Sequence, residues 1–251
     1  MRKTVKLLLT GALCIAACVS LTASYEAYFL PAEKGTVAAP DEQGFIRRWL
    51  LLEPIGKPNR SNTVFTDSYV RENLTKEYYK DQFTMIPKDG QKVKATVEKQ
   101  VQTEPEGPRR SFSFEPPKIE TVVEKLQWHA VDSKLFNVKL YRFATGLEKE
   151  RYGVIFHAVT IIDCPEDIKD VRLSVGSNSA SLWWLDGEEV LILSGDRRMV
   201  MDDCQSNRLT LEKGRHVLRG AVINGPGMSD FCVRFVDAEG APVKNISVTL
   251  E

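Results

Sequence analysis

Val171-Arg172-Leu173-Ser174-Val175-Gly176-Ser177-Asn178, and then Leu182-Trp183-Trp184-Leu185-Asp186-Gly187-Glu188-Glu189-Val190, is the stretch on which the fold turns. The first block alternates apolar and polar residues at period two, the pattern of a strand with one buried face. The second places Asp-Gly between two apolar runs. Both residues of a two-residue type I′ turn need positive φ, which Asp-Gly tolerates, so residues 182–185 and 188–193 are predicted to form a β-hairpin.

Working outward, the same punctuation recurs. Residues 126–131 form a strand candidate, and residues 152–162 are almost wholly apolar, as a central strand would be. Lys213-Gly214 separates residues 208–211 from 216–223, predicting a second hairpin. Glu239-Gly240 separates 231–236 from 246–250, predicting a third. Close-set strands without intervening helices indicate an all-β sandwich or jelly roll rather than a βαβ sheet. Upstream, residues 45–52 read as a strand stopped by Pro54. A short amphipathic helix is expected from Asp67, which would cap it, with Tyr69, Val70, Leu74 and Tyr78 near one face. Residues 95–120 carry Pro105, Pro108, Pro116 and Pro117 among charges, and read as an exposed loop or inserted hairpin arm. Phe112 and Phe114, two apart, could share one face of a short strand there.

The N-terminus has the marks of export. Arg2, Lys3 and Lys6 precede an apolar run, and Ile15-Ala16-Ala17-Cys18 resembles a lipobox, making Cys18 the candidate lipidation site. Cleavage near Ser24 and an uncleaved anchor remain as alternatives. The division expected is a signal segment over 1–24, a linker over 25–43 broken by Pro31, Gly35 and Pro40, and a folded module over 44–251. The location expected is the periplasm or outer membrane, with contact to a membrane only through the lipid. In a chain of 251 residues, 34 basic groups balance 34 acidic ones, so no long-range field draws nucleic acid or an anionic surface. Cys164, Cys204 and Cys232 fall in the module; one disulfide among them and three buried thiols are both open readings. No CxxC or HxxxH pair points to zinc.

Catalytic signatures are missing. There is no Gly-x-Ser-x-Gly, and Gly176-Ser177-Asn178-Ser179 suits a polar loop better than a nucleophile elbow. His129, His157 and His216 lie inside strand patterns, as packing or surface residues do. Asp202-Asp203 are neighbours, and neighbours on a strand face opposite ways, which spoils a carboxylate pair for glycoside cleavage. Phosphate-binding fingerprints are absent. No catalytic residue and no cofactor are therefore expected. The candidate ligand-binding residues are polar or aromatic. Of Trp183 and Trp184, one ring should face the core and the other outward, where an indole offers a sugar a flat apolar face. Arg197, Asp202 and Asn224 sit in polar stretches from which hydroxyl-binding groups could gather. A structural calcium held by Asp163, Asp202 and Asp203 is a further candidate, although no dense acidic loop supports it.

These residues resemble a known family. Residues 171–178 followed by the Leu182–Val190 hairpin, Leu209-Thr210-Leu211-Glu212-Lys213-Gly214 and Phe231-Cys232-Val233-Arg234-Phe235 look like a galactose-binding-like jelly-roll module. The arrangement over about 44–250 is similar to the non-catalytic N-terminal region of acetylxylan esterases from Bacteroidota. The resemblance implies a carbohydrate-binding or accessory module, with plant cell-wall polysaccharide such as xylan, and a separate hydrolase, as partners. An esterase relative with hydrolase activity and a protein-docking structural domain are the alternatives. The resemblance carries over no catalytic position.

Overall fold

The computed structural model describes residues 25–57, 65–101, 118–225 and 227–251. The leader with Cys18, and Phe112 and Phe114, lie outside the described residues. Among these residues the chain is a mostly β sandwich of two antiparallel sheets and two short helices.

The larger sheet is built on two long strands, β6 (Val154–Cys164) and β12 (Gly214–Asn224), paired in unbroken register from Gly214↔Cys164 to Asn224↔Val154. β6 is buried along nearly all of its length, as its apolar run requires. On its other side three short strands lie end to end: β3 (Ile55–Gly56), β2 (Arg48–Leu52) and β14 (Ser247–Thr249). Beyond β2 runs β5 (Lys118–Ser133), which pairs with β1 (Phe29–Pro31) at one end and with β4 (Lys92–Val101) at the other. Beyond β12 come β8 (Ala180–Leu185) and β9 (Glu188–Leu193). The hairpin expected between them is present: Asp186 and Gly187 take φ of 53° and 88°, the type I′ signature, and Leu185 faces Glu188.

The smaller sheet centres on β7 (Ile168–Ser177), flanked on one side by β13 (Phe231–Val236) and on the other by β10 (Cys204–Gln205) and β11 (Leu209–Leu211). It packs on one face of the larger sheet. Trp49, Trp183 and Phe231 meet edge to face between the layers, with centroids 5.0 to 6.1 Å apart. The opposite face of the larger sheet forms a second core under α1 (Asp67–Leu74) and the strap over residues 75–91, through Tyr78, Tyr79, Val70 and Leu74. The second helix, α2 (Leu140–Gly146), buries Leu140, Phe143 and Ala144 against the first core.

Several expectations change. The Lys213-Gly214 turn does not close a hairpin, and Glu239-Gly240 closes only a short one that does not pair 231–236 with 246–250. β11 pairs with β7 whereas β12 pairs with β6 and β8, so Lys213-Gly214 carries the chain from one sheet to the other. After Glu239-Gly240, Val236 bridges Pro242, the Asp237 amide donates to the Ala241 carbonyl and the Val243 amide to the Phe235 carbonyl, both at 2.9 Å, and β14 then joins β6 instead. Part of the segment read as a linker is structure: Phe29 is fully buried, β1 pairs with β5, and Ala38 bridges Val248. The hairpin-arm reading of the Pro-rich region fits β4 and the start of β5, ten residues of continuous pairing, whereas residues 102–117 lie outside those described. The α1 cap is Thr66 rather than Asp67, its Oγ1 accepting from the Tyr69 amide at 3.3 Å, and Tyr78 lies beyond the helix end.

Candidate functional site

Adjacent strand residues point to opposite faces, and Trp183-Trp184 obey this rule, but both faces of their sheet are covered. Trp183 faces the smaller sheet and is 0% exposed. Its indole lies across Gly220, its cross-strand partner, and its Nε1 donates to Ser181 Oγ at 3.0 Å. Trp184 faces the strap, 8% exposed, with the Phe83 ring tilted against it at 5.6 Å. Neither indole offers an open face to a sugar, so the stacking platform expected there is not formed. The strap, which carries no strong strand or helix signature, is what covers Trp184.

The polar candidates are committed to the fold. Asp202 receives Arg234 through two guanidinium nitrogens and Ser174 Oγ at 2.7 Å. Burial pushes its carboxyl up, and these donors outweigh it, holding the group below the usual carboxylate range. Arg197 pairs with Asp203 at 2.6 Å and donates to Ser194 O. Asn224 is buried, its amide donating to the carbonyls of Arg151 and Gly227. The three aspartates suggested for calcium are drawn to separate cations: Asp163 to Arg215, Asp202 to Arg234 and Asp203 to Arg197. Among the described residues no three His, Cys, Asp or Glu side chains converge. Cys164, Cys204 and Cys232 are free thiols, and burial pushes Cys164 and Cys232 up to about 11.

The structure assembles a different site, on the strap side of the larger sheet. The 32–37 turn, the strap end at Lys88 and Asp89, and the segment 249–251 enclose a groove of about 440 Å³, within the size range of small-ligand sites. Leu50, Ala130 and Leu250 contribute its apolar surface. At one end Arg48, 7% exposed, holds Asp132 in a bidentate pair at 2.7 and 2.8 Å and donates to the Thr36 carbonyl and hydroxyl. That pair keeps the Arg48 guanidinium fully protonated. Around the rim, Glu33, Asp89 and Glu251 balance Lys34, Arg48 and Lys88. Sequence reasoning missed this site because its residues come from segments far apart in the chain, six of the fourteen in the stretch read as linker. Arg48 within an apolar strand was the one local sign, being a charge where burial was expected.

No protein-family model matches the chain, and no curated protein matches it in sequence. Among solved structures it is similar to a PA14 sugar-binding domain from an RTX adhesin, at 8% identity and a TM-score of 0.41, over 79% of this chain and 95% of that one. It is similar also to part of the GH31 α-xylosidase from Xanthomonas citri, at 13% identity and a TM-score of 0.22, over 48% of this chain and 15% of that one.

Proposed function

We propose that the chain is an exported, non-catalytic carbohydrate-binding module that works beside separate enzymes acting on plant polysaccharide such as xylan. The groove at Arg48 is the observation that carries the reading. A sugar hydroxyl donates and accepts at once, and its ring presents C–H faces; the groove offers paired donors and acceptors around an apolar floor. The balance of charge on its lining favours a neutral polyhydroxyl ligand over an ion. Export to the envelope is supported by Arg2, Lys3 and Lys6 ahead of the apolar run that reaches Cys18.

The test is retention on insoluble xylan, followed by calorimetry with xylo-oligosaccharides. The double variant Glu33→Ala/Lys88→Ala changes two exposed groove residues and should weaken binding at least about tenfold, or ~1.4 kcal/mol, with the melting temperature unchanged. No retention on any plant polysaccharide at millimolar site concentration would refute the reading. Acetate release from acetylated xylan that survives purification controls would overturn its non-catalytic part. Cys18→Ala should release the protein from the membrane fraction.

A further inference from the structure

Arg219 on β12 is a buried cation that no carboxylate among the described residues compensates. It lies opposite Trp184 on one side and Val159 on the other, on the strap face of the larger sheet, and is 6% exposed. Its Nη2 donates to the Met85 carbonyl at 2.6 Å. Among the described residues no carboxylate forms an ion pair with it, whereas the other arginine buried to this degree, Arg48, holds one. Burial drives its pKa down, the direction expected of a cation taken from water without an anion. A buried charge left alone is costly, by several kcal/mol in general, so an arginine kept in this position is unusual.

What surrounds Arg219 is a mostly apolar cleft in which the guanidinium is the one charged group among the lining residues. An open cleft of about 170 Å³ is bounded by Thr75, Phe83, Trp184, Gly187 and the guanidinium. A small hollow of about 20 Å³ shares Phe83, Trp184 and Arg219 with it and is lined also by His157 and Trp128. The Trp128 indole nitrogen and His157 Nε2 are both buried, and neither has a partner among the described residues. His157 Nδ1 lies 3.1 Å from the Tyr79 hydroxyl, which burial keeps protonated. A hydrogen bond from that hydroxyl to Nδ1 leaves the neutral imidazole with its proton on Nε2. Two buried N–H donors, Nε2 of His157 and Nε1 of Trp128, then belong to residues that line the small hollow, and the outer cleft carries Arg219. Nitrogen donors without matching acceptors suit an anionic oxygen ligand, the opposite of the balanced groove at Arg48.

We propose that this cleft is a second binding site, one that takes a small carboxylate beside Phe83 and Trp184, at the cleft mouth by Thr75 and Gly187, with its oxygens on Arg219. Two sources share that chemistry: the uronate of an acidic sugar and a free carboxylic acid. The uronate case deepens the carbohydrate reading given above, whereas the site itself does not depend on it.

Titration of the full chain, followed by tryptophan fluorescence, with glucuronate, glucose and acetate tests the proposal. Glucuronate or acetate should give a saturable change, weakened by salt, that glucose does not give. Glucuronate alone points to a sugar source, and equal response to acetate to any small carboxylate. Arg219→Met should reduce the carboxylate affinity at least tenfold while the folded state is retained, since it removes an unpaired charge. Thr75→Trp, at the exposed rim, should block the cleft with Arg219 intact. Equal binding of glucose and glucuronate, or carboxylate affinity unchanged in both variants, overturns the site. Glu33→Ala/Lys88→Ala separates the two readings: it should weaken xylo-oligosaccharide binding and leave carboxylate binding as it was.

Discussion

Two histidines set opposite limbs of the pH dependence. His216 places Nδ1 2.6 Å from the Asp186 carboxylate and Nε2 2.7 Å from the Glu212 carbonyl. Both partners accept, so both ring nitrogens must donate and the imidazolium is the form that fits. Burial works against that charge, but the two acceptors outweigh it and raise the pKa. Its stabilisation is therefore present below the unfolded value of about 6.5 and is lost as pH rises through the raised folded value. His157 is the reverse. Burial, with the Arg219 charge, pushes it down to about 3, so it folds neutral. Its contribution is present above about pH 6.5 and falls as pH drops toward 3, at up to about 1.4 kcal/mol per unit. Urea melts across pH should show His157→Leu flattening the acid limb, and His216→Gln losing most stability on the acid side of 6.5. At Gly220 a Cβ would stand 2.4 Å from the Trp183 ring, so Gly220→Ala should cost about 1–3 kcal/mol, readable in the same melts.

At the scale of elements, local signals succeeded wherever hydrogen-bond partners were also local. The β8–β9 hairpin was legible because Asp186-Gly187 binds two consecutive strands at fixed register. Lys213-Gly214 carries an equally good turn signal, yet its flanking strands find partners in different sheets; a turn says that the chain bends, not where it goes. The β4–β5 arm was half read. Prolines and charges pointed to exposure, and β4 is in fact exposed at Lys92, Lys94, Thr96 and Glu98 while Ala95 and Val97 are buried. The 25–43 segment was misread because Pro31, Gly35 and Pro40 break periodicity without preventing a three-residue edge strand. Phe29 packs edge-on to Phe143 at 6.2 Å. Phe29→Ala should therefore destabilise by about 3–5 kcal/mol, and a chain beginning at Gly44 should melt lower still by calorimetry. A true linker would change neither.

On the scale of the whole molecule, the larger sheet is covered on both faces, by the smaller sheet on one and by α1 with the strap on the other. The strap sits between two unlike concavities, meeting the Arg48 groove at Lys88 and Asp89 and the Arg219 cleft at Phe83. Because one lining is balanced and the other is cationic, the two should differ in salt response. Neutral-oligosaccharide binding should hold as salt rises toward ~1 M, where screening reaches within ~3 Å, while carboxylate binding weakens; paired titrations at low and high salt check this. Alternation and turn chemistry in the sequence were enough to determine that the chain is a mostly β sandwich and where its central strands run, because side-chain period and turn φ are properties of a few adjacent residues. Only the tertiary structure decided which strands share a sheet, that both tryptophans are enclosed, and which charges stand free. Each of those depends on what segments distant in sequence bring to the other side of a side chain, and no local pattern records it.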